Sequence, residues 1–154
     1  MSIVSLHEAR INFSDIRGHM DILHENSKVS LKRSFSKKNV FRGMHWQKFP
    51  FFQTKIIRVL DGSVIDFIVD MNAAEKKIIF KELNPESDWH IIESNFAHGF
   101  YALEDTHFEY FCVGEYSEDN ELSFSILDFL SKELDINNPI LSMKDLNSPD
   151  LKEI

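Results

Sequence analysis

The sequence predicts an all-β domain, a sandwich or a barrel, with short helical segments only towards the C-terminus. Three observations support this. Many short runs have strand character, and several alternate apolar and polar side chains as half-buried strands do. Turn residues separate these runs at short intervals, and evidence for helices is confined to the end of the chain. The 154 residues, 43% of them hydrophobic, are enough for a single domain over residues 1–154 with a buried core.

The strands are predicted in order along the chain. A turn at residues 15–18 separates two short apolar pieces, and residues 49–52 form an apolar loop. Asp61 and Gly62 are typical of a hairpin, and the even-numbered side chains of the strand that follows share one face. The predicted strands are 29–35, 40–47, 55–60, 64–70, 76–82, 89–92, 99–103 and 108–113. Short helices are predicted within 125–134 and 142–146.

The charge and cysteine content exclude several classes of function. The net charge of −8 argues against binding to nucleic acid or to an anionic membrane, because both require a basic surface. Cys112 is the only cysteine, so no intrachain disulfide can form, and we interpret it as a core residue. The N-terminus lacks a signal-peptide pattern, and no apolar run reaches about 20 residues. We therefore expect a cytoplasmic protein.

Two of the seven histidines, His45 and His98, lie in strand-like runs flanked by aromatic residues and glycine. Each could be a hydrogen-bonded core residue or a reactive group. A metal site of the small-barrel type needs a His-x-His pair and an acidic ligand further on. Gln47 replaces the second histidine, and Lys55 stands where the acid is needed. An ammonium group repels a divalent cation, so no metal is predicted.

Arg42, Lys55 and Arg58 lie on two predicted strands that could be neighbours. Arg42 precedes His45 by an odd number of residues, so the two share a face only if Gly43 permits a bulge. Arg58 is expected to face outward, since it differs from Lys55 by an odd number. The cluster indicates a pocket for phosphate or a developing oxyanion beside a histidine base, or else solvated charges on a sheet.

Five segments in colinear order resemble the dTDP-4-dehydrorhamnose 3,5-epimerase family. They are SKKNVFRGMHWQ at 36–47, the run 55–70 with its glycine turn, FAHGF at 96–100, the Tyr110, Tyr116 and Glu121 series, and ILSMKD at 140–145. The resemblance covers about residues 34–151, and residues 1–33 diverge, so the chain looks like a short variant. It implies a cupin-like jelly-roll barrel that forms a homodimer, and no cofactor.

The resemblance also implies the chemistry. The substrate would be a nucleotide-linked 4-keto-6-deoxysugar, with dTDP as the expected nucleotide and CDP or GDP as alternatives. His45 would be the general base, oriented by Asp145; Lys55 would stabilise the enolate, and Tyr110 would return the proton and so invert C3, C5 or both. The implied substrate-binding residues are Arg42 for the diphosphate, Tyr116 for stacking on the base, and His98, Glu121, Lys144, Arg17 and Gln47.

The sequence departs from the family pattern in two places that matter for the site. Lys32 and Arg33 stand where the family usually has Asn-His. The chain between His98 and Tyr110 is one residue shorter, so that Phe111 could occupy the position of the acid. Two alternatives to an epimerase remain: a ketoisomerase of the same barrel type, against which Gln47 argues, and a non-catalytic nucleotide-sugar-binding module.

Overall fold

A computed structural model of the chain describes residues 11–154 and shows two antiparallel β-sheets. The predicted all-β class is confirmed. The first ten residues, where the sequence shows no signal-peptide pattern, lie outside the described part. The strands are β1 Ile11–Asp15, β2 Gly18–Glu25, β3 Val29–Ser36, β4 Phe41–Gln47, β5 Thr54–Asp61, β6 Val64–Asp70, β7 Ile78–Leu83, β8 His90–Ile92, β9 Phe96–Ala102, β10 Thr106–Val113 and β11 Glu121–Ser123.

The strands form one sheet of six and one of five. The first sheet has the order β1-β2-β3-β10-β5-β8, and the second has the order β11-β4-β9-β6-β7. All eight predicted strands are present within a few residues of their expected bounds. The turn predicted at 15–18 joins β1 to β2, whose strands pair as a hairpin.

The turn at Asp61 and Gly62 is not a hairpin, and that prediction was wrong. The strand β5 pairs with β10 and β8, whereas β6 pairs with β7 and β9. The turn therefore carries the chain from one sheet to the other. Gly62 has φ +83°, a conformation that glycine adopts without strain. The sequence therefore indicated a turn correctly, although the turn joins strands of different sheets.

Two hydrophobic cores lie on the two faces of the five-stranded sheet. One fills the space between the sheets, where Ile57 and Phe108 of the first sheet pack with Val64 and Phe100 of the second. The other lies on the opposite face, beneath the C-terminal segment. Strand alternation explains this division, because neighbouring side chains on β6 and β9 point to different cores.

The C-terminal segment contains two short helices, α1 (Leu127–Leu134) and α2 (Met143–Leu146). Leu130 of α1 is fully buried against the five-stranded sheet. Ser142 caps α2 by accepting a hydrogen bond from the Asp145 backbone N–H at 3.0 Å. This cap fixes the turn that carries Asp145 towards β4. Among residues 11–154, no helix is long and apolar enough to cross a membrane.

Candidate active site

A cavity of about 280 Å³, which we call the central cavity, lies between the two sheets. Side chains from both sheets and from the β1–β2 turn line it. They are Arg17, Met20, Lys32, Arg42, His45, Lys55, His98, Phe100, Phe108, Tyr110, Tyr116 and Glu121. Eight of the eleven residues predicted from the sequence are in this set. A smaller cavity of about 110 Å³ shares several of these residues and adds Gln47.

His45 on β4 is held by a buried carboxylate. Its Nε2 lies 2.8 Å from Oδ1 of Asp145, which is almost completely buried and lies behind the imidazole rather than in the cavity lining. Burial would raise the pKa of Asp145, but the hydrogen bond to His45 and the charge of Arg17 hold this pKa below its ordinary value. An ionised carboxylate only accepts hydrogen bonds, so Nε2 carries the proton and Nδ1 of the neutral ring keeps its lone pair.

Gly43 allows Arg42 and His45 to reach the same cavity. The pairing of β4 with β9 breaks register between these two residues, as the sequence analysis predicted. Gly43 has φ +124°, and a Cβ added there would stand 2.6 Å from the Cα of Gly99. The irregular strand therefore depends on a pair of glycines that let two backbones approach closely.

Lys55 and Tyr110 lie on the wall opposite His45, on neighbouring strands of the six-stranded sheet. Burial lowers the pKa of the Lys55 ammonium, and burial raises the pKa of the Tyr110 phenol well above its ordinary value. Lys55 has no hydrogen-bond or ion-pair partner among residues 11–154. Phe111 lies on the outer face against Trp89, with ring centroids 5.8 Å apart, so Tyr110, and not Phe111, lines the cavity.

A second histidine–carboxylate pair adjoins the same cavity, which its histidine, His98, lines. His98 Nε2 lies 2.6 Å from Oδ1 of Asp66, and both side chains are buried. His98 is directly opposite His45 in the β4–β9 ladder, and its ring stacks on Phe108. Asp66 was not among the predicted site residues. In the sequence, Asp66 stands out because the side chains that share its face of the strand are apolar apart from one further aspartate.

Two guanidinium groups, those of Arg17 and Arg42, line the central cavity. Arg42 donates to the Ser36 hydroxyl at 2.8 Å and to the Phe35 carbonyl at 3.3 Å, so its hydrogen bonds go to neutral groups. Burial and the charge of Arg17 lower the pKa of Arg42, which means that a nearby anion would stabilise its charged form. Arg17 is paired with Asp15 and lies 3.4 Å from Asp145.

The remaining predicted residues lie in three different environments. Tyr116 and Glu121 line the central cavity. Gln47 lines the smaller one, where its Oε1 accepts from the Ser117 backbone N–H and its buried Nε2 has no partner among the described residues. Lys144 lies outside both cavities, because its ammonium is bound to the Glu121 carboxylate and half of its side chain is exposed to solvent. A direct substrate contact by Lys144 stays a prediction.

The cavity also contains residues that the sequence analysis did not assign to the site. Lys32 was noted only as a departure from the family pattern, and Met20, Phe100 and Phe108 carried no chemical signal of their own. Their inward positions depend on strand register, which one sequence does not fix. Within residues 11–154, no group of three His, Cys, Asp or Glu side chains is arranged to hold a metal ion.

Comparison with known proteins identifies the family. The family model described as dTDP-4-dehydrorhamnose 3,5-epimerase matches residues 12–153. A Shigella flexneri protein of that name is 35% identical over 125 residues, which are 77% of this chain and 69% of the relative. The matches span 53% to 69% of the length of the first three curated relatives.

Solved structures agree with this assignment and confirm the cupin-like fold. The Bacillus anthracis dTDP-4-dehydrorhamnose 3,5-epimerase, solved with TDP and PPi bound, is 31% identical; the alignment covers 92% of this chain and 91% of that one, with a TM-score of 0.68. A Legionella pneumophila 3,5-epimerase in complex with dTDP-4-keto-L-rhamnose is 28% identical over 94% of this chain and 86% of its own, with a TM-score of 0.69. The chain belongs to the dTDP-4-dehydrorhamnose 3,5-epimerase family.

Proposed function

We propose that this protein inverts C3, C5 or both in a nucleotide-linked 4-keto-6-deoxysugar. One observation carries the proposal: a carboxylate-paired imidazole faces an ammonium and a phenol across a single cavity. His45 lies on one wall, and Lys55 and Tyr110 lie on the other. Inversion needs a base on one face of the sugar and an acid on the opposite face, and this arrangement supplies both.

The proposed reaction proceeds through an enolate. The C4 carbonyl acidifies the C–H bonds at C3 and C5, and the free ring nitrogen of His45 removes one of these protons. The electron pair of the broken C–H bond moves towards the C4 oxygen, where the Lys55 ammonium stabilises the negative charge. The Tyr110 hydroxyl then protonates the same carbon from the other side. Solvent restores the proton of Tyr110 and removes the one on His45.

The protonation states of these groups support their proposed roles. The raised pKa of Tyr110 keeps the phenol protonated at neutral pH, so that it can donate. The ionised Asp145 stabilises the imidazolium that forms when His45 accepts a proton. An enolate beside Lys55 would offset the burial that lowers the pKa of this ammonium.

The nucleotide part of the substrate is proposed from chemistry and from relatives. The relatives from Bacillus anthracis and Legionella pneumophila were solved with TDP and PPi and with a dTDP sugar. Arg42, which has no carboxylate partner, is the proposed ligand of the diphosphate, and the exposed ring of Tyr116 is the proposed platform for the base. CDP and GDP sugars are the alternatives to dTDP sugars.

Solvent exchange tests the proposed function. The protein is incubated in D₂O with a dTDP-4-keto-6-deoxyhexose, and NMR follows the signals of C3–H and C5–H. We expect deuterium to enter at one or both carbons, together with an inverted product. A dTDP-hexose with a hydroxyl at C4 is the matched control, because its C–H bonds are not acidified. No exchange with any nucleotide-linked 4-keto sugar would refute the function, and a 3-keto product would indicate a ketoisomerase.

We also propose a homodimer located in the cytoplasm. The strand β1 pairs only with β2 among the described residues, and its Ile11 and Phe13 side chains are 55% and 53% exposed. An exposed apolar edge strand is a surface that a second chain can cover. Cys112 is a free and buried thiol, in keeping with a cytoplasmic location. Light scattering should give twice the chain mass, and a monomer at all concentrations would contradict the dimer.

A further inference from the structure

Lys32 occupies a junction that the proposed reaction does not use. It lies on β3 directly opposite Tyr110 of β10, and it lines both the central cavity and the smaller one. It also lines a third cavity of about 600 Å³, which we call the outer cavity, together with Phe13, Met20 and Tyr116. Met20, Lys32 and Tyr116 are common to the central and the outer cavities, so a ligand that extends from one to the other passes Lys32.

The Lys32 ammonium has no counter-charge. It forms no ion pair or hydrogen bond with any residue of the described part of the chain, and its nearest recorded partner is the Tyr116 ring, with Nζ 5.8 Å from the centroid. Glu25 and Glu115 line the outer cavity, but neither lies within ion-pair distance of it. A cation–π contact at a partly exposed site is worth only about 0.5–1 kcal/mol, so an anion would readily displace it.

The central cavity thus contains three cations without a carboxylate partner, Lys32, Lys55 and Arg42. The Lys32 charge is close enough to Lys55 to oppose its protonation. Glu121, an acidic residue that lines the central cavity, is already bound to Lys144. Like charges gathered in one cavity repel each other, and a ligand with at least two negative charges would relieve this repulsion.

A nucleotide sugar has its charges where this arrangement needs them. Its sugar is uncharged, its diphosphate carries the negative charges, and its base is a flat ring. With the sugar between His45 and Tyr110 and the nucleoside directed towards the outer cavity, the diphosphate lies between the two. We propose that Lys32 binds this diphosphate and adds its charge to the contact proposed for Arg42. The substrate in this inference rests on the proposed function, but the binding of a diphosphate group does not.

Calorimetric titration with two probes, dTDP and inorganic pyrophosphate, tests the inference on the full chain. Replacing Lys32 with Met keeps the aliphatic stem and removes the charge. We expect Lys32→Met to weaken binding of both probes about tenfold, as the loss of one hydrogen bond to a charged group does. Lys32→Arg should restore most of the affinity. The difference between wild type and Lys32→Met should shrink in high salt, because salt screens charges in a partly open cavity.

A matched control removes the same charge elsewhere. Lys77 is exposed, pairs with Glu75, and lines none of the three cavities. We expect Lys77→Met to bind both probes as the wild type does. In turnover assays, Lys32→Met should raise KM and leave kcat nearly unchanged, because a contact to the diphosphate is the same before and during proton transfer.

Each outcome has a distinct meaning. Equal binding by wild type and Lys32→Met would overturn the inference, as would equal losses in Lys32→Met and Lys32→Arg, which would indicate a role in packing. Failure of the wild type to bind either probe would also overturn it. Binding of pyrophosphate that depends on Lys32, without deuterium exchange into any 4-keto sugar, would support the inference and refute the proposed function instead.

Discussion

The two faces of the six-stranded sheet differ in whether their charged side chains are paired. On the outer face, Glu109 is almost buried and both of its oxygens are bound, one by Arg33 at 2.6 Å and the other by Arg58 at 2.7 Å. On the inner face of the same strands, Lys32, one residue from Arg33, and Lys55, three residues from Arg58, have no acidic partner among the described residues. Neighbouring positions of one sheet thus hold a satisfied charge cluster and an unsatisfied one.

We interpret this difference as a separation of structural charges from functional charges. The chain has 25 acidic and 17 basic residues, so the cations of the cavity are not unpaired for lack of carboxylates. Buried charges are normally paired because desolvation opposes an isolated ion. An exception in a cavity is best explained by a ligand that supplies the missing charge. The outer cluster should therefore affect stability, and the inner groups should affect catalysis.

The largest effect is expected at the inner face from His45→Ala. The variant removes the proposed base but leaves Arg42 and Lys32, so deuterium exchange should fall by about 10³-fold or more while dTDP affinity changes little. Exchange is measured by NMR, and affinity by calorimetry. Exchange close to the wild-type rate in a properly folded His45→Ala would remove the histidine from the mechanism.

Lys55→Met should have the next largest effect. Loss of the group proposed to stabilise the enolate should reduce kcat by about 10²–10³-fold, as removal of one oxyanion donor does. Substrate affinity should fall much less. An unchanged kcat would show that Lys55 does not contact the developing charge.

The pH dependence of kcat sharpens the same prediction. Burial lowers the pKa of Lys55, so its ammonium loses its proton at a lower pH than an exposed lysine. Because the proposed role of Lys55 needs its charged form, kcat should decline on the alkaline side, and the decline should start below the ordinary lysine range. Lys55→Arg keeps its charge to higher pH and should move this decline upward. The same alkaline profile in Lys55→Arg would assign the decline to another group.

The smallest effect on catalysis is expected at the outer face. Glu109→Gln leaves two partly exposed arginines without a counter-charge and should lower the free energy of unfolding by about 1–2 kcal/mol, measured by urea denaturation. Exchange per folded molecule should stay at the wild-type level. A strong loss of exchange would contradict the separation of the two faces.

The pH dependence of this stability difference has a definite sign. Burial raises the pKa of Glu109, but the hydrogen bonds and charges of the two arginines lower it overall. A carboxyl group with a depressed folded-state pKa stabilises the protein above its unfolded-state pKa, and this contribution disappears as pH falls through the folded-state value. Wild type and Glu109→Gln should therefore converge in stability below about pH 4.

The sequence predicted most of the fold because strand alternation is local. Alternation predicted that Lys55 faces inward and Arg58 outward, and the structure confirms both orientations. The hairpin prediction at Asp61 and Gly62 failed because a turn signal does not state which strands pair. Partner choice depends on contacts between distant residues.

The candidate site was predictable in a similarly uneven way. Asp145 is 100 residues from His45 in the sequence and was accessible only through the family resemblance. The substrate contact of Lys144 stays a prediction, because in the structure its ammonium binds Glu121 instead. Lys32 was visible as an unusual residue, but its position at the junction of three cavities follows from the register of β3 against β10.

The most direct test of the account is a comparison of exchange and inversion in Tyr110→Phe. Because His45 and Tyr110 lie on opposite walls, the variant should still remove and return a proton on the His45 side. NMR in D₂O should therefore show deuterium in recovered substrate of unchanged configuration, with little inverted product. Inversion at the wild-type rate would contradict the assignment of the base and the acid to the two walls of the cavity.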